Sequence, residues 1–261
     1  MPSVYAHYRF GAAMIPVLPG DIRRTVKRFR QLYDVGLHGP DIFFYYNPIL
    51  KSKTGSLGSR FHRQSGRDFF TRVCRSLRLD PAEAGQAYLY GVLTHYCLDS
   101  VCHPYIKETA ETTGLTHARI ETEFDRFLLE LDGKTPPHTQ DLSPHIRLTA
   151  GECDTVAKFY PPASTGAVRD AVRNMAFFVR LLAAPEGARR TLLRKGIPLA
   201  GKSREDMLMT EQADPRCAAL NTELFSLYEK AECLFPELLE QVAAHLTYNA
   251  TFGAEFTADF G

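Results

Sequence analysis

Two histidine–carboxylate pairs constrain most strongly what this chain can fold into. His95 and Asp99 stand four residues apart in an apolar stretch, and His117 and Glu121 repeat the spacing further on. At about 3.6 residues per turn, each pair shares one helix face. The stripe around the first pair reads Ala84, Ala87, Tyr88, Gly91, Val92, His95, Leu98 and Asp99. The stripe around the second reads His117, Ile120, Glu121, Phe124, Leu128 and Leu131, while Arg119, Glu123, Arg126 and Glu130 are expected on the solvent side. Both pairs are therefore expected to point inward, where a bare carboxylate is costly unless it is paired or bound to a cation.

One such pair alone is better explained as a buried salt bridge or a helix surface pair. Two of them, on the inward faces of neighbouring helices with His103 between, favour a metal site, because imidazole and carboxylate are good zinc ligands. Other metal schemes fit less well. The chain has no His-Glu-x-x-His motif and no His-Asp dipeptide, and no inward pair has the Glu-x-x-His spacing of carboxylate-bridged di-iron bundles.

Helical periodicity dominates and alternating strands are absent, so the expected class is all-α, one multi-helix domain over 1–261. Helices are expected at Asp21–Tyr33, at Arg67–Leu79, and from Asp80-Pro81-Ala82-Glu83 through Asp99, stopping before Pro104. Thr116 should cap the next, ending near Gly133. Others are expected at Gly151–Phe159, Thr165–Ala184, Arg204–Thr210 and Pro215–Asn249, the last broken at Pro236. Gly39-Pro40-Asp41 should open a loop into the aromatic run Phe43, Phe44, Tyr45 and Tyr46. Lys51–Ser59 and Lys134–His145 read as further loops.

With 261 residues and a net charge of +1, the chain can bury a sizeable core and carries no field that would draw it to nucleic acid. Its six cysteines include no CxxC pair, and no apolar run is long enough to span a membrane. The opening MPSVYAHYRFGAAMIPVLPG lacks the pattern of a secretion signal, so the expectation is a cytoplasmic protein with reduced, packing thiols.

GPDIFFYY at 39–46, RFH at 60–62, YGVLTHYCLDSVCHPYI at 90–106 and THARIETEFD at 116–125 resemble the bacterial zinc-dependent phospholipase C family, whose fold is shared with zinc-dependent single-strand nucleases. The resemblance covers about the first 130 residues and implies an all-α fold with two to three zinc ions in one cleft. It implies that His62, His95 and Asp99 hold one ion, with Asp41 beside it as ligand or general base. His103, His117 and Glu121 would hold a second. His7 would hold a third, with Asp99 bridging. The chain departs from the family in one respect: it contains no tryptophan, whereas the family's mature terminal tryptophan chelates the third zinc.

The activity so implied is hydrolysis of a phosphate ester, most simply a phospholipase C-like phosphodiesterase acting on a small phosphate ester or a phospholipid head group. The alternatives are a single-strand nuclease, a phosphomonoesterase and a zinc-binding protein without turnover. Phe44 and Tyr45 are candidates for the wall of a head-group or base pocket. His38 is expected to be a loop residue near Asp41, and His138, His145 and His245 fall outside every motif.

Overall fold

In the computed structural model, residues 3–46, 55–183, 187–196 and 205–261 are described. The protein is all-α. Among the described residues there is no strand, only an isolated bridge between Ser65 and Asp259. No helix among them is long and apolar enough to cross a membrane.

The helices run in the order α1 (Val4–Met14), α2 (Gly20–Arg28), α3 (Arg30–Gly36), α4 (Gly55–His62), α5 (Gly66–Leu79), α6 (Glu83–Thr113), α7 (His117–Leu131), α8 (Ala150–Ala157), α9 (Thr165–Leu182), α10 (Ala188–Gly196) and α11 (Ala218–Tyr248). α6 is the axis of the fold, packed by α1, α2, α3, α7 and α11. Its approach to α3 depends on two glycines. A Cβ on Gly91 would lie 2.3 Å from the Tyr33 carbonyl oxygen, and one on Gly36 would lie 2.7 Å from that of Tyr88. This crossing sets the start of the segment that carries Asp41 directly beside the middle of α6.

Several boundaries differ from expectation, each for a physical reason. α6 runs through Pro104, and α11 runs through Pro236. Both prolines are exposed, so the carbonyl each leaves without a backbone donor faces water, while apolar residues on the inner face keep the helix going. The start of α6 also differs: Asp80 closes α5 and Ala82, in extended conformation, precedes the first turn. Asp21–Tyr33 is two helices, α2 and α3, divided at Phe29. The expected loop at 39–46 is a 3₁₀ helix, Gly39–Tyr45. Of the expected loop Lys51–Ser59, residues 51–54 lie outside the described residues and Gly55 already begins α4. The helix expected at Arg204–Thr210 begins outside the described residues, and 206–210 are turn and irregular chain. Thr116 caps α7 as expected, its hydroxyl accepting from the Arg119 amide at 3.1 Å. Glu123 and Arg126, expected on the solvent side, are buried instead, because they pair with each other at 3.2 Å beneath the chain around Asp214, whose amide donates to Glu123.

The cysteines are free, and all but Cys233 are buried. Phe43 packs edge-on against Tyr160, and Tyr45 faces Phe178. Both are buried core residues, whereas Phe44 is half-buried with its ring 5.0 Å from that of His62.

Candidate metal centre

α6 presents His95, Asp99 and His103 on three successive turns of one face. α7 meets that face with His117 at its first position and Glu121 one turn on. α1 crosses both and contributes His7, the 3₁₀ helix contributes Asp41, and α4 ends on His62. The eight candidate ligands named from the sequence thus gather at one place in the fold. They fall into three groups, the first two sharing His95: His7, His95 and Asp99; Asp41, His62 and His95; His103, His117 and Glu121.

Asp99 is the hub. Its Oδ1 lies 3.1 Å from His7 Nε2 and 3.4 Å from His103 Nε2, and its Oδ2 lies 3.0 Å from His95 Nε2. Glu121 Oε1 is 3.2 Å from His117 Nε2 and 3.7 Å from His103 Nε2. Asp41 Oδ1 is in direct contact with His62 Nε2. His103 therefore stands between the two helical carboxylates, which the sequence spacing alone did not show. Every member is buried except His117, whose side chain is 32% exposed and marks the open end of the cleft.

Burial works against charge on His7, His62 and His103. The facing carboxylates outweigh it, holding all three above the usual histidine range: Asp99 for His7, Asp41 for His62, and Asp99 with Glu121 for His103. Burial likewise pushes the carboxylates up, and the surrounding imidazoles reverse it. Asp99 and Glu121 sit well below the ordinary carboxylate range, and Asp41 is lowered by His62. The three carboxylates favour positive charge beside them, as imidazolium or as a bound cation.

The donor set fits zinc. Zinc sites combine histidine nitrogen and carboxylate oxygen, and two ligands about 2.1 Å from a tetrahedral ion stand roughly 3.4 Å apart, close to the separations around Asp99. His95 Nε2 and Asp99 Oδ2 are buried without a hydrogen-bond partner despite their 3.0 Å approach. They converge as two ligands of one ion do, not as donor and acceptor.

One residue of the site went unread in the sequence. Asp125, one turn beyond Glu121, accepts from the Ser3 hydroxyl and from the amides of Tyr5 (3.0 Å) and Ala6 (2.8 Å). It thereby fixes the first turn of α1 and the position of His7. A third inward acidic or basic residue in the series His117, Glu121, Asp125 was the available signal. Among the other histidines, His38 is fully buried and its Nε2 lies 2.8 Å from His145 Nε2. His138 and His245 are buried outside the centre.

Beside Glu121 opens a pocket of about 90 Å³. Its walls include Val4, Tyr45, Val179, Leu182, Met207 and Met209 together with polar residues such as Asp125, His138 and Gln140, and no lysine or arginine lines it among the described residues.

A family model described as zinc dependent phospholipase C matches residues 6–158, a segment that contains every candidate metal ligand. No curated protein and no solved structure matches the chain.

Proposed function

The chain belongs to the zinc-dependent phospholipase C family, and from that premise we infer that it hydrolyses phosphodiesters at a zinc centre in the cleft between α1, α6 and α7. The observation that carries this reading is the convergence of three histidine–carboxylate groups around Asp99 and Glu121. His62, His95 and Asp99, with Asp41 beside them, would hold one ion. His103, His117 and Glu121 would hold a second, and His7 with Asp99 a third.

When bound, zinc supplies Lewis acidity toward the phosphate oxygens and lowers the pKa of a water toward about 7. The chain's own residues do the rest. Asp41 is the proposed general base. Its carboxylate faces His62 within the centre, where it is placed to take the proton of the attacking water. Asp125 holds α1, and therefore His7, in register with α6. The buried walls of the cleft exclude bulk water, which strengthens each electrostatic contact inside it.

The cavity beside Glu121 supports a substrate with an apolar moiety. Its walls are largely aliphatic and thioether, which suits the alcohol portion of a phospholipid-like diester. The reading is tested by measuring zinc content and then turnover of a chromogenic phosphocholine diester, single-stranded DNA and phenyl phosphate. Turnover of the diester above the other two supports it. A fully zinc-loaded protein that cleaves none of them would instead be a zinc-binding protein without turnover.

A further inference from the structure

Residues 258–261 lie far outside the matched segment, yet they reach the metal centre. The Gly66 amide donates to the Ala258 carbonyl at 2.8 Å, Asp259 bridges to Ser65, and the Phe260 amide donates to the His62 carbonyl at 3.0 Å. The Phe260 side chain is fully buried. Its ring lies 6.1 Å from that of His95 with the planes 25° apart, and it is wedged against Tyr96 at 5.0 Å and Phe69 at 5.1 Å. Gly261 follows with φ +131°, its backbone so close to His103 that a Cβ would fall 1.7 Å from Nδ1. This short stretch therefore touches three candidate ligands: the backbone of His62, the ring face of His95, and His103 on the edge opposite its carboxylate partners.

Ligand histidines are usually oriented by a hydrogen bond from the ring nitrogen that does not bind metal. Here the Nδ1 atoms of His95 and His103 are buried and have no hydrogen-bond partner among the described residues. Packing is left to fix both rings. We propose that residues 258–261 form a strap that positions the zinc ligands, with Phe260 as the positioning residue for His62 and His95 and Gly261 as the stop for His103. The proposal rests on the zinc reading above and assigns part of the centre's rigidity to chain outside the family's matched segment.

The test is zinc release from the zinc-loaded full chain into a chromogenic chelator, for wild type, Phe260→Ala, Phe260→Leu and Phe256→Ala. Phe256 is the control. It is buried in the same aromatic cluster, stacked on Tyr96 at 5.5 Å and edge-on to Phe70 at 5.3 Å, and makes no ring contact with a candidate ligand. Both alanine variants should lower Tm, but only Phe260→Ala should speed zinc release, by roughly 10- to 100-fold as for loss of an outer support of a metal site. Phe260→Leu should fall between. Gly261→Ala, which forces a side chain against His103, should also speed release and stands in if Phe260→Ala does not fold. Wild-type release from the Phe260 and Gly261 variants, or equal acceleration in Phe256→Ala, would overturn the strap. A wild-type protein that takes up no zinc would overturn the metal reading itself, and the strap with it.

Discussion

Asp99 Oδ1 lies 3.1 Å from His7 Nε2, joining α6 to the helix at the start of the matched segment. The same carboxylate approaches His95 and His103, so it is in contact with three of the imidazoles. Its removal should disturb the whole centre rather than one ion.

We therefore expect Asp99→Ala to lose zinc, read by metal analysis after gel filtration. A metal's charge stabilisation is worth several kcal/mol, so kcat/KM for a diester should fall by roughly 1,000-fold or more. Wild-type zinc content in this variant would contradict the role of Asp99 as hub.

Asp41 allows its two candidate roles to be separated. Asp41→Asn keeps a side chain of the same shape while removing the charge. If Asp41 is the base, the variant retains its zinc and loses roughly 100- to 10,000-fold in kcat. Zinc loss in proportion to activity would make it a ligand, and full activity with full zinc would remove it from the mechanism.

The legible part of this fold was what local periodicity encodes. His95, Asp99, His117 and Glu121 were readable because an inward acid at helical spacing needs a partner. Thr116 was readable because a hydroxyl there satisfies an otherwise open amide. Asp41, His62 and His7 came only with the family resemblance, since each sits on a separate element and meets the others through tertiary packing. Pro104 and Pro236 misled because their cost depends on which face they take, and both face water. Phe260 was invisible, because nothing local in the closing residues distinguishes a surface phenylalanine from one stacked on His95.

The clamp formed by Asp125 predicts a pH dependence. Burial pushes its carboxyl up to about 6, above the value of about 3.9 in an unfolded chain. The folded protein thus binds this proton more tightly than the unfolded chain does. Its contribution to stability is complete below about pH 4 and is lost as pH rises through about 6. In denaturant titrations of the EDTA-treated protein, wild type should lose at most about 3 kcal/mol relative to Asp125→Asn across that window. Parallel stability curves for the two proteins, or a slope of opposite sign, would show that Asp125 is not held as described.

The cavity beside Glu121 predicts a substrate preference. Leu182, half-buried at the end of α9, lines it without touching the ligands. Leu182→Gln should lower kcat/KM for a diester with a medium-length alkyl chain by roughly tenfold, the worth of one or two buried methylenes. Turnover of a chromogenic phosphocholine diester should stay near wild type. Equal effects on both substrates would place the apolar moiety elsewhere.

The most direct measurement is anomalous diffraction at the zinc edge from crystals of the zinc-loaded protein. The account predicts at least two peaks in the cleft, one bounded by His62, His95 and Asp99 and one by His103, His117 and Glu121. A third peak beside His7 and Asp99 would complete the set. No anomalous density between α6 and α7, in a protein folded as described, would contradict it.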